Sequence, residues 1–275
     1  MAGRTPTRRV RPPLIAGTFY PRDADDLRAM VDRLLDDGGR RLDETQVAVD
    51  RPVRGLIAPH AGYRYSGPVA GTAFAALRRV RQDVSRVVLV GPSHRVSFTG
   101  LAAPVDDAFA TPLGEVELDH DALATLDRLP QVTRLEEGHA REHALEAHLP
   151  FLQRVLGRLT LAPLTFGDTT AEDVAEAMLT LADERTLIAV SSDLSHYEPH
   201  GSAAEHDRRT AEAVVSGRGE EVGPYDACGF LAVRGLMQVA RRRGWRARCV
   251  DLRDSFEAGG GDEGQVVGYG GFLFD

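Results

Sequence analysis

Three short stretches of this chain are dominated by apolar residues, 53–58, 87–90 and 187–190, and each runs into a turn that carries a histidine. The first leads to Pro59-His60, the second to Gly91-Pro92-Ser93-His94, and the third to Ser191-Ser192-Asp193-Leu194-Ser195-His196. Apolar runs of this length, bounded by turn residues, read as strands buried on both faces. Between them the period changes. Val69, Ala70, Ala73, Phe74, Leu77 and Val80 recur at helical spacing, as do Leu27, Met30, Val31, Leu34 and Leu35 ahead of Gly38-Gly39, which is expected to stop that helix. Thr170 with Asp173 and Ser202 with Glu205 have the spacing of capping boxes, opening helices on either side of the third run. Residues 159–162 and 266–274 add strands.

Strands alternating with helices predict an α/β fold, a single domain with a mostly parallel central sheet flanked by helices. Parallel strands present their C-terminal ends along one edge, where open α/β sheets bind ligands, so His60, His94 and His196 are expected to share a crevice. Neutral imidazole is a metal ligand and a proton carrier near neutral pH, which makes a metal site the chemistry to expect. No repeat or linker divides the chain. Residues 11–275 read as the domain and residues 1–10, with Arg4, Arg8 and Arg9, as a flexible basic arm.

Composition narrows the field. A hydrophobic fraction of 43% and a charged fraction of 27% are ordinary for a soluble domain, and no apolar run approaches the ~20 residues of a membrane span. No apolar segment follows the basic start, so it does not read as a secretory signal. Cys228 and Cys249 are too few and too far apart for a zinc ribbon or a disulfide framework, which favours a reducing, cytoplasmic location. A net charge of −8 and a pI of 5.6 argue against nucleic acid as a partner. Every basic residue is Arg. The absence of Lys excludes Schiff-base, pyridoxal-phosphate and Walker-A chemistry.

Cys228 is a further candidate. Asp226 is expected to cap a helix whose first turn holds this cysteine, where the helix dipole favours thiolate, while Cys249 lies in a strand-like segment and reads as packing. The stretch from Arg141 to Pro150 resembles zinc-peptidase motifs, but His143 and His148 are five residues apart. On a helix that is about 140° of rotation, too far to grip one ion. Leu145, Leu149, Leu152 and Leu156 make a core stripe with Glu142 and Glu146 at its border. His120, His139, His200 and His206 have polar or loop surroundings and are expected at the surface. Ser93 lacks the second glycine of a nucleophile elbow, because Arg95 stands there.

Several motifs, in this order, carry a resemblance: residues 11–21 (RPPLIAGTFYP), 58–63 (APHAGY), 91–94 (GPSH), Glu142-His143 through His148-Leu149-Pro150, 191–196 (SSDLSH) and Cys228-Gly229. Together they resemble the Memo family, whose bacterial members are named AmmeMemoRadiSam system protein B. The resemblance implies a fold related to class III extradiol dioxygenases, non-haem iron enzymes. It also implies a metal site of His60, His94 and Cys228 for iron or copper, with zinc as an alternative, and places Asp193 and His196 in the same pocket as catalytic residues. Glu142 and His143 are expected to support the ligands. A thiolate in place of the dioxygenases' carboxylate softens the site and is itself oxidisable, which bears against ring cleavage and leaves redox or oxygen chemistry on a small molecule. Two other readings stay open: a non-catalytic adaptor acting with the AMMECR-type and radical-SAM proteins encoded beside bacterial members, and a zinc-dependent hydrolase.

Overall fold

The computed structural model describes residues 8–80 and 83–275. In chain order the elements are β1 (Val10–Arg11), α1 (Ala24–Thr45), β2 (Gly55–Ala58), α2 (Gly67–Val80), β3 (Arg86–Pro92), β4 (Leu101–Ala103), β5 (Ala108–Thr111), β6 (Gly114–Leu118), α3 (His120–Leu126), β7 (Val132–Arg134), α4 (Glu137–Ala140), α5 (Leu149–Leu156), β8 (Thr160–Phe166), α6 (Ala171–Leu181), β9 (Thr186–Ser191), β10 (His196–Glu198), α7 (His200–Val215), α8 (Phe230–Arg243), β11 (Ala247–Asp254), α9 (Ser255–Gly259) and β12 (Val266–Phe274).

The described strands form one 12-stranded sheet whose centre runs β6-β8-β3-β9-β2, all parallel, before β12 joins antiparallel to β2. The three apolar runs are β2, β3 and β9. Every residue of β2 and β9 is buried, because helices cover both faces: α2 packs on β2 from one side and α8 from the other. The expected α/β architecture is therefore present, as a single domain with a mostly parallel sheet between helical layers. No helix among the described residues is long and apolar enough to cross a membrane. Of the expected arm, residues 1–7 lie outside the described residues. Arg8 pairs with Glu115 and Glu117, Arg9 pairs with Glu136, and Val10 begins β1.

Several local expectations are corrected. Gly38-Gly39 does not end α1, which continues for two more turns. The glycine is there because α2 crosses at that point: a Cβ on Gly38 would lie 2.4 Å from the Gly71 carbonyl oxygen, and one on Gly71 would lie 2.4 Å from that of Leu34. The Thr170-Asp173 capping box forms as expected. Ser202 does not cap α7, whose N-cap is Pro199. Asp226 does not cap α8 either; that N-cap is Gly229, and the Asp226 carboxylate instead accepts from the Gly223 amide and contacts His206. The stretch 141–150 is not one helix. It starts on the C-cap of α4 and runs through a turn and a short 3-10 segment at Glu146–His148 into the start of α5, so the wheel argument about His143 and His148 does not apply.

Candidate metal centre

His60 leaves the sheet two residues after β2, and His94 two residues after β3. Their strands flank β9, so the two backbones stand roughly 10 Å apart, two inter-strand spacings. Both side chains lean over the end of β9 and bring the ring centroids to 5.2 Å. A third ring, His143, arrives from the turn between α4 and α5, 5.6 Å from His60 and 4.9 Å from His94. Each of the three offers a ligand nitrogen, and these nitrogens lie within 4.8 Å of one another.

The surroundings decide which nitrogens are free. Glu142 is buried and accepts four hydrogen bonds: the His94 amide at 2.5 Å, the His94 Nδ1–H at 2.9 Å, and the amides of His143 and Ala144 at 2.9 Å each. Burial alone would push this carboxyl up. The contacts with His143 and His94 and the Ala144 amide outweigh it and hold Glu142 well below the usual carboxylate range, ionised at neutral pH. With Nδ1–H given to a carboxylate, a neutral His94 ring presents Nε2 to the cluster. The Nδ1 of His143 is buried 3.2 Å from Glu142 Oε1, at ion-pair distance but outside hydrogen-bond geometry. Three imidazoles crowded at ring-centroid distances of 4.9–5.6 Å, each able to offer a nitrogen lone pair, are a donor set that fits a bound transition-metal cation. Desolvation, then the neighbouring His94 and His143, hold His60 well below its ordinary pKa, so it is a neutral ring ready to donate a lone pair.

The remaining expected residues close the other side. Asp193 Oδ1 accepts the His60 amide at 2.8 Å, and its Oδ2 stands 3.9 Å from His60 Nε2. Burial pushes the Asp193 carboxyl up. Cys228 Sγ lies 3.6 Å from His60 Nε2 and accepts the Asp193 amide at 3.3 Å. The loop bearing it comes this close because Gly229 lacks a side chain: a Cβ there would meet Ser192 Cβ at 2.6 Å and the Ser191 carbonyl oxygen at 2.7 Å. Cys228 precedes α8 rather than occupying its first turn. Burial, aided by Asp193, pushes its thiol up to about 12, so the expected dipole-stabilised thiolate is not what this environment favours. His196 opens β10, half-buried, with its ring edge-on to Tyr197, and it is near enough for its charge to bear on Asp193. Among the described residues, the ligand atoms that converge are thus those of His60, His94 and His143, with the Cys228 sulfur beside His60.

Sequence reasoning missed other groups around the site. His148 is buried, and desolvation lowers its pKa to about 3; its Nε2 contacts Ser191 Oγ at 2.9 Å. His139, expected at the surface, is also buried and bonds the Ala102 carbonyl. Glu146 pairs with buried Arg11 at 2.7 Å, and Arg11 also donates to the carbonyls of His139 and Glu142, clamping the segment that delivers His143. The signal in the sequence was the apolar spacing around Glu146, which marks a buried carboxylate that needs a cation. Cys228 and Cys249 are both free, and Cys249 packs against the core as expected.

Comparison with known proteins agrees in extent. The chain is 35% identical over 284 residues to a MEMO1 family protein of Methanopyrus kandleri, covering 96% of this chain and 98% of that protein. It is 33% identical to a MEMO1 family protein of Archaeoglobus fulgidus, with 96% and 99% covered. An uncharacterized Escherichia coli K12 protein of known structure aligns with a TM-score of 0.50 at 12% identity, over 80% of this chain and 99% of its own, a likeness of fold. The profile of the family described as "Memo-like protein" matches residues 11–273, and the chain belongs to that family.

Proposed function

We propose that this chain is a transition-metal protein that holds iron or copper on the Nε2 atoms of His60 and His94, with His143 and the Cys228 sulfur completing the donor set. The observation that carries the reading is the convergence of three ligand nitrogens within 4.8 Å of one another over one sheet edge. Imidazole suits iron, copper and zinc alike, and an adjacent sulfur favours the softer end of that range. When bound, such a metal supplies redox and oxygen chemistry on a small molecule.

The chain's own residues have separable tasks. His60 and His94 bind. Glu142 orients His94 and neutralises charge beneath the cluster. Asp193 holds the His60 backbone in place, and its carboxyl, raised by burial, can carry a proton beside Nε2. His196, half-buried at the mouth, is placed to exchange protons with solvent. The two free cysteines support a reducing, cytoplasmic setting.

The test is calorimetric titration of metal-free protein with Fe(II), Cu(I) and Zn(II) under anaerobic conditions, for the wild type and for His60→Ala, His94→Ala, His143→Ala and Cys228→Ala. Loss of tight binding in His60→Ala and His94→Ala supports the site. Equal affinity in all five proteins removes it, and tight binding of zinc alone replaces the redox reading with a hydrolytic one.

A further inference from the structure

Ser191, the last residue of β9, lies fully buried beneath the cluster, and its single hydroxyl has three partners. Oγ is 2.8 Å from the Ala144 carbonyl oxygen, 2.7 Å from His60 Nδ1 and 2.9 Å from His148 Nε2. A hydroxyl has one proton to give and two lone pairs to receive with. A carbonyl oxygen only accepts, so the hydroxyl proton goes to Ala144, and both histidines must then donate. His60 therefore carries its proton on Nδ1 and His148 carries its proton on Nε2.

We propose that Ser191 is a positioning residue that locks His60 in the Nδ1–H tautomer and thereby turns an unprotonated Nε2 toward the cluster. The neighbours of Nε2 agree with this. The Cys228 thiol, 3.6 Å away, has a proton that a bare nitrogen can accept, as the Asp193 carbonyl at 3.7 Å also can, whereas the Asp193 Oδ2 that would accept from an Nε2–H is 3.9 Å away, beyond hydrogen-bond distance. Glu142 does the same for His94 through a carboxylate. The two rings are thus aimed by two different acceptors, one neutral and one charged, and the neutral one adds no negative charge to a crevice that already holds Glu142 and Asp193. His148 fills the second lone pair of Ser191, while the Ala144 carbonyl is what holds the hydroxyl proton away from His60.

The consequence for metal affinity rests on the function proposed above; the tautomer does not. The experiment is a long-range proton–nitrogen correlation spectrum of metal-free, histidine-labelled protein at neutral pH, which separates protonated from bare ring nitrogens. The wild type is expected to show His60 protonated at Nδ1 and bare at Nε2. Ser191→Ala, a change that adds no atoms to the core, is expected to mix the two tautomers and to weaken metal binding about 10–100-fold, the range for lost outer-shell partners. His148→Phe, which leaves the Ala144 and His60 contacts in place, is expected to keep the Nδ1–H tautomer dominant. An Nε2–H tautomer in the wild type overturns the proposal, whether or not Ser191→Ala folds. An unchanged tautomer and unchanged metal affinity in Ser191→Ala overturns it too. The predicted tautomer in a wild type that binds no metal upholds the role of Ser191 and removes only the metal reading.

Discussion

Glu142 grips His94 twice, taking its backbone N–H on Oε2 at 2.5 Å and its ring Nδ1–H on Oε1 at 2.9 Å, so one buried carboxylate sets both the position of the residue and the turn of its ring. Glu142→Gln keeps the shape but replaces one acceptor oxygen with an amide NH2, a donor that faces N–H donors. Metal affinity is expected to fall about 10–100-fold. The melting temperature should fall too, since a buried donor left without an acceptor costs about 1–3 kcal/mol. Titration together with thermal denaturation checks both, and wild-type values in the variant would contradict the assignment.

The Arg11–Glu146 pair ties the start of the domain to the segment that carries Glu142 and His143. Both side chains are buried. Glu146 also accepts the amides of Leu14 and Ile15 and the Tyr20 hydroxyl. Removing one partner leaves the other charge uncompensated, so Arg11→Met is expected to destabilise by about 3–5 kcal/mol in urea denaturation. Arg11→Met with Glu146→Leu should cost less than the two single changes added together. Strict additivity would show that the two charges do not depend on each other.

His206 gives a pH dependence with a defined sign. Its Nδ1 contacts Glu198 and its Nε2 contacts Asp226, each at 2.7 Å, and two carboxylate acceptors call for two N–H donors. Burial opposes the charge, but the hydrogen bonds to Asp226 and Glu198 outweigh it and raise the pKa above the ordinary histidine value. A folded pKa above the unfolded one means that the stabilisation is fully present below the unfolded value of about 6.5 and is lost as pH rises through the folded value. His206→Gln should remove that part of the decline, with a loss of on the order of 1 kcal/mol on the acid side for this partly exposed group. Chemical denaturation across a pH series checks it. Wild-type and variant curves that stay parallel throughout would refute the clamp.

Gly71→Ala sets helix propensity against packing. Propensity alone predicts a gain of about 1 kcal/mol. The new Cβ would lie 2.4 Å from the Leu34 carbonyl, backbone of α1 that cannot step aside without shifting the helix. Overpacking of this kind costs about 1–3 kcal/mol, so a net lowering of the melting temperature is expected, and a rise would mean that α1 and α2 are free to separate.

The strands were legible because parallel strands covered on both faces leave a nearly unbroken apolar run, and β2, β3 and β9 each do. The sheet edge that gathers His60 and His94 followed from that. The role of Gly38 was not legible, since a glycine that admits a crossing helix looks in sequence like one that ends its own. His143 was expected only behind the ligands, and its place among the three rings was not legible for another reason: segment 139–149 is shaped by the partners of Arg11, Glu142 and Glu146, and no periodicity records contacts made across more than a hundred residues. His139 read as a surface residue and His148 as a metal-motif position that fails on geometry, yet both rings are buried and bonded, to the Ala102 carbonyl and to Ser191. Ser191 stands in the SSDLSH motif, but its part in the site depends on three partners that only the fold brings together.

In the proposed function, His60 and His94 hold one metal ion between them. That is tested most directly by elemental analysis of protein purified anaerobically without added metal, wild type beside His60→Ala/His94→Ala. The account predicts close to one equivalent of iron or copper in the wild type and next to none in the double variant. Equal metal content in both proteins, or none in either after titration with iron, copper and zinc, would contradict it.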